Sequence, residues 1–114
     1  MSASTEATIN RLIADYIELA PLVDESLEDN EGELLPHLVL ADVVRWLAEH
    51  VESERDICRS ILDWLEREYE SGPEDVRGLI AVSGVEMIPD PNQPGSLLRE
   101  WLGPALRRVD PWLA

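Results

Sequence analysis

Phenylalanine and lysine are absent from this chain, cysteine occurs once, histidine twice, and apolar runs are short. These shortages remove several classes of function. An apolar stretch such as Leu38 to Ala41 is cut off by Asp42, well below the roughly 20 residues a membrane helix needs. The segment Met1 to Ala7 has neither a basic cluster nor an apolar signal core, so a cytoplasmic location is expected. With Cys58 alone there is no internal disulfide and no thiolate metal cluster within one chain. Set between Ile57 and Ile61 in a helical pattern, Cys58 is expected to be an inert core thiol.

Hydrolytic chemistry is poorly provided for. A nucleophile needs a base beside it, and His37 and His50 are the only imidazoles, one at a helix start and one at a helix end. Zinc wants two histidines one turn apart plus a third ligand, a spacing this pair does not have. The acidic run around Gly32 suggests a calcium loop, yet aligning that glycine with the loop's invariant one puts Leu27 and Leu38 at the two anchoring ligand positions. No phosphate-binding glycine loop is present, and Pro91 with Pro94 reads as a turn. No catalytic residue, metal or cofactor is assigned.

What the sequence has in excess is negative charge: 24 acidic residues against 9 arginines, a net of -15. Phosphate backbones and anionic membranes demand basic side chains, so nucleic acid and membrane surfaces are disfavoured and a basic protein partner is favoured. Lysine-free basicity fits a GC-rich coding bias or a need for solubility, and a salt-adapted source would give the same composition. Trp46, Trp64, Trp101 and Trp112 offset the missing phenylalanine.

At 114 residues and 45% hydrophobic content the chain suits a single helical domain with one core. Ile9, Leu12, Ile13, Tyr16, Ile17 and Ala20 form an amphipathic stripe from Glu6 to Ala20, capped by Ser4 or Thr5 and ended or kinked by Pro21, with a short continuation through Leu27. Leu40, Val43, Val44, Leu47 and Val51 define a helix over Pro36 to Val51, widened by Val39 and Trp46, with Asp42, Arg45 and Glu49 on its polar strip. Ser53 and Asp56 resemble a capping box opening a helix with Ile57, Cys58, Ile61, Leu62 and Leu65 inward and Gly72–Pro73 as its stop. Val76, Leu79, Ile80, Ser83 and Met87 continue the period to Pro89. After a stiff connector to Gly95, Ser96 caps Leu97, Leu98, Trp101 and Leu102, and Leu106 and Val109 follow the break at Gly103–Pro104, with Trp112 and Leu113 docking the end. No strand pattern is long enough to count, so the fold expected is all-α, an irregular bundle or short stack of five to seven helices.

The charge is concentrated in two places. Asp24 to Glu33 carries six carboxylates and no basic residue; Glu49 to Asp75 carries ten against three arginines. Asp63, Glu66 and Glu70 share one face of a helix, and Trp64, between Asp63 and Arg67, is the candidate for an exposed hot spot. The expected partner-binding residues are therefore Asp63, Trp64, Glu66, Arg67 and Glu70, together with Glu28, Asp29 and Glu31. From Leu97 onward, Arg99, Arg107 and Arg108 against Glu100 and Asp110 make the chain slightly basic, which places the binding surface away from the carboxy terminus.

The stretches LLPHLVLADVVRWL (Leu34 to Leu47), ILDWLEREYESGPEDVRGLIAVSGVEMIPD (Ile61 to Asp90) and LREWLGPALRR (Leu98 to Arg108) resemble a family of small acidic helical bacterial proteins, some of which are similar to immunity proteins of polymorphic toxins. The resemblance implies an immunity or inhibitor protein that occludes the active surface of a basic toxin, and it carries no catalytic residues over. Two other readings stand beside it. A structural adaptor or homo-oligomeric scaffold would use an exposed apolar patch, and a small-molecule enzyme or sensor would need a pocket near His37, Asp42 and Trp46.

Overall fold

Pro21 shapes the start of the chain. Inside a continuous helix its ring would collide with the carbonyl of Ile17, four residues back, and it has no amide hydrogen to offer. The computed structural model, which describes residues 3–113 and leaves Met1, Ser2 and Ala114 outside the described residues, shows how the collision is avoided. Helix α1 (Ala3–Asp15) stops early, Tyr16 takes φ -132° and ψ 83°, a 3-10 turn spans Ile17–Leu19, and Pro21 falls in the first turn of α2 (Ala20–Asp29). The helical phase resets with this break. Leu19 is fully buried, whereas Ile17, which the unbroken period puts on the inner stripe, is 72% exposed. Ser4 and Thr5 lie within the first turn of α1 rather than ahead of it as caps.

The end of α2 is closed by its own backbone. The Asn30 amide and side-chain Nδ2 both donate to the Ser26 carbonyl, at 3.1 and 2.7 Å, and the Gly32 amide reaches back to the Leu27 carbonyl at 2.7 Å. That last bond is the long closure of a Schellman turn, with Glu31 (φ 57°) in the left-handed position usually held by glycine. Helix α3 (Pro36–His50) then buries Val39, Leu40, Val43, Val44 and Leu47, with Val51 just beyond it, and leaves Trp46 half-buried.

Helix α4 (Arg55–Ser71) begins later than the capping-box reading places it. The Glu54 amide donates to the His50 carbonyl at 2.8 Å, so Ser53 belongs to a tight turn between helices and caps nothing. Helix α5 (Glu74–Ser83) ends at Gly84, whose backbone (φ -104°, ψ -83°) would bring a Cβ to 2.3 Å from the Ile80 carbonyl oxygen, so only glycine fits. A 3-10 turn, Val85–Met87, follows and shifts the phase: Val85 and Ile88 are buried, while Met87, expected on the inner stripe, is exposed. A second 3-10 segment, Ser96–Trp101, starts after Gly95, so Ser96 is not its cap, and α6 (Pro104–Val109) follows the Gly103–Pro104 break.

Helix α5 is the hub, packed against α1, α3 and α4; α2 lies on α3, and α6 on α4. The described residues form an all-α irregular bundle of six α-helices and three 3-10 segments. Its radius of gyration, 13.2 Å, equals the value of about 13 Å expected for a well-packed chain of this size. One continuous cluster runs from Ile9 and Leu12 through the inner faces of α3, α4 and α5 to Leu98, Leu102 and Leu106. The side chains of Trp112 and Leu113, expected to dock the end of the chain, stay 57% and 46% exposed. No helix of the described residues is long and apolar enough to cross a membrane.

Candidate functional site

The acidic face of α4 is interrupted. Trp64, expected to stand exposed, is only 7% exposed, and its indole N–H donates to Asp15 Oδ2 at 2.7 Å, which ties α4 to the end of α1. Glu66, expected on the same outward face, is 8% exposed, and its two carboxylate oxygens accept the amides of Ala105 (2.9 Å) and Leu106 (3.0 Å). It thus satisfies two of the unpaired donors that open α6 and places negative charge at the positive end of that helix. The contact also leaves room only for glycine at 103, since a Cβ there would stand 2.5 Å from the Glu66 carboxyl carbon.

Three-and-four spacing does group Asp63, Glu66 and Glu70 on one side of α4, but α6 covers the middle of that side. Asp63, Arg67 and Glu70 remain exposed. Asp63 shares a shallow depression with Arg59, Glu100 and Trp101, where the guanidinium of Arg59 lies 4.6 Å from the centre of the Trp101 ring and that of Arg55 lies 5.6 Å from it.

The other expected set, Glu28, Asp29 and Glu31, is exposed at the end of α2, and one of its members faces a larger feature. An open groove of about 600 Å³ runs between α2 and α3. From α2 and its end come Leu22, Glu25, Ser26, Asp29 and Asn30; from α3 come Leu38, Asp42, Arg45, Trp46 and Glu49. The α3 residues recur at intervals of three and four, so they form the outward stripe of a helix whose opposite side is core. Four carboxylates face one guanidinium here. Arg45 is ion-paired with Asp42, whereas Glu25, Asp29 and Glu49 have no ion-pair partner among the described residues.

Two neutral features complete the groove. Trp46 is half-buried and stacked on His50, with ring centres 4.1 Å apart and planes 16° apart, and His50 Nδ1–H donates to the Trp46 carbonyl at 2.8 Å. Ser26 is 5% exposed and its Oγ has no hydrogen-bond partner among the described residues. In the sequence Asp42, Arg45 and Glu49 read as a polar strip, Asp42 and Trp46 also as part of a pocket with His37, and Ser26 has no role; the strip becomes a wall because the left-handed pair Glu31–Gly32 turns the chain so that α3 lies alongside α2.

The pocket imagined around His37, Asp42 and Trp46 does not form as a unit. His37 Nδ1 is bonded to Ser83 Oγ on α5 at 2.6 Å and is not among the groove residues, while Asp42 and Trp46 are. Cys58 is fully buried, its S–H directed at the Leu47 carbonyl at 3.7 Å, and burial, followed by the nearby Glu54 charge, pushes its pKa up to about 11. Among the described residues no three His, Cys, Asp or Glu side chains converge as metal ligands. What the groove offers is a set of unpaired acceptors and an aromatic ring to a cation.

No curated protein and no solved structure matches the chain. A family model described as a domain of unknown function, DUF7674, matches residues 9–110, a span that takes in the bundle from the middle of α1 to the end of α6. The chain belongs to the DUF7674 family.

Proposed function

We propose that this chain is an acidic binding protein for a basic protein partner and, within that class, a cytoplasmic immunity or inhibitor protein that covers the active surface of a basic bacterial toxin. The observation that supports it is where the charge lies: of the 24 acidic residues only Glu66 and Asp110 are buried. The excess is therefore not consumed by the interior. Such a surface destabilises the folded chain by self-repulsion and accelerates encounter with a cation-rich partner, raising association rates by about 10- to 1000-fold at low ionic strength.

The test begins with the neighbouring genes and a toxin-like basic domain encoded beside this one. Coexpression is expected to restore growth of cells producing that domain, and the association rate is expected to fall by about tenfold or more as salt is raised past the point where the screening length is ~3 Å. Toxicity that persists, or an association rate indifferent to salt, overturns the reading. A homo-oligomeric scaffold is the second reading, favoured by the exposed Trp112 and Leu113; sedimentation showing self-association that is lost on truncation after Asp110 supports it.

A further inference from the structure

We infer that the groove between α2 and α3 seats an arginine side chain of the basic partner, its guanidinium held between carboxylates of the two helices. The inference rests on the reading of the chain as a binder of basic proteins and names the chemistry that one part of the surface accepts. Glu25 and Asp29, one turn apart on α2, and Glu49 on α3 line the groove without an ion-pair partner. A shared acidic wall alone would be an ordinary solvated surface, and Ser26 supplies the second observation. Other helical hydroxyls in this chain are bonded: Thr8 and Ser71 return to the carbonyls of Ser4 and Arg67, both at 2.9 Å, and Ser60 and Ser83 pair with the Tyr16 hydroxyl and His37 Nδ1 at 2.5 and 2.6 Å. Ser26, in the groove and 5% exposed, makes no such bond, so an acceptor and donor are held dry and unused there.

The geometry selects guanidinium over ammonium. A planar fork with five N–H donors reaches acceptors on both walls at once and stacks on an aromatic ring, whereas an ammonium is a compact, strongly hydrated point charge that gains less in an open groove. The protein uses the same chemistry elsewhere, with Arg59 over Trp101 at 4.6 Å. Arg45 already brings one guanidinium to the groove through Asp42, and since that pair is exposed its hold is weak enough for Arg45 to move aside.

The experiment titrates the isotope-labelled full chain with the blocked tripeptide Gly-Arg-Gly, and in parallel with its lysine and citrulline counterparts, following backbone amides and indole N–H signals. Expected are shifts confined to the α2–α3 groove and the Trp46 indole, arginine bound about threefold or more tighter than lysine, and no response to citrulline. Asp29→Asn, at an exposed position, and Ser26→Ala are each expected to weaken the arginine peptide by about threefold or more. Equal response to arginine and lysine, or shifts spread over the surface outside the groove, overturns the assignment. With the cognate partner in hand, affinity unchanged by both variants but still sensitive to salt overturns the groove alone and leaves the acidic-binder reading standing. Salt-indifferent association overturns that reading, and the tripeptide then decides the groove by itself.

Discussion

Arg99 and Asp110, eleven residues apart, form an ion pair from which solvent is excluded: their side chains are 7% and 0% exposed. The same guanidinium donates to the carbonyls of Ile88 (3.2 Å) and Pro89 (2.8 Å), and Asp110 Oδ1 accepts the Trp112 amide at 2.9 Å. One pair thus fastens the connector after α5, the 3-10 segment before α6 and the tail after it. It is also incompletely satisfied, with Arg99 Nε and Asp110 Oδ2 buried and without a partner among the described residues.

Asp110→Ala strands a buried guanidinium and is expected to lower unfolding free energy by about 3–5 kcal/mol. Replacing both members, Arg99→Met with Asp110→Leu, removes two desolvated charges together and should cost far less or stabilise the chain. Urea unfolding of the single and double variants measures both; a double variant as unstable as the single one would show that the pair is strongly net favourable.

Glu66 and Gly103 are coupled in the same way. Gly103→Ala alone drives a methyl into the Glu66 carboxylate and should destabilise by roughly 1–3 kcal/mol. In a Glu66→Ala background, itself lower by roughly 1–3 kcal/mol because two α6 amides lose their acceptor, the second change should be close to neutral. A double-mutant cycle reads the coupling directly, and additive effects would exclude the contact as the reason for glycine.

These two relationships mark where sequence reading stops. Helix α3 is legible nearly to the residue because its period, its opening proline and its apolar content all agree. The break at Tyr16 is not, because the proline's steric effect is delivered at a carbonyl four residues upstream. Met87 and Ile88 exchange sides because a single backbone conformation at Gly84 resets the phase. Glu66 shares the spacing of an exposed face with Asp63 and Glu70, and only the arrival of α6 from some forty residues away covers it, while Trp64 is drawn inward to Asp15 at the end of α1. Arg99 and Asp110 count as surface charge in a sequence and as interior in the fold. The acidic groove was half legible: Asp29 and the Asp42–Arg45–Glu49 strip were visible, their meeting was not.

Glu31 occupies a left-handed position at φ 57° that costs a side chain about 1–2 kcal/mol relative to a right-handed one. Glu31→Gly is expected to raise stability by roughly 0.5–1 kcal/mol. Glu31→Gln separates this from relief of charge repulsion: if the glutamine variant gains as much in thermal unfolding as the glycine variant, backbone strain is not the cause.

Cys58 is protonated in the fold to higher pH than in the unfolded chain, its pKa raised from 9.0 to about 11. The unfolded chain therefore loses this proton first as pH climbs. The thiol's contribution to stability is complete below pH 9.0 and is lost progressively toward pH 11. Cys58→Ala should flatten that part of the stability profile, and at neutral pH a thiol reagent should react with Cys58 in urea but not in the native protein.

Helix α3 carries two inscriptions. Its inner stripe, Val39, Leu40, Val43, Val44 and Leu47, belongs to the core, and its outer stripe, Leu38, Asp42, Arg45, Trp46 and Glu49, to the groove. Exchanges at Asp42, Arg45 and Glu49 would alter what the groove accepts while disturbing stability by only about 0.5 kcal/mol each. A lineage built on this bundle could follow a changing partner, one charge at a time, without having to learn again how to fold.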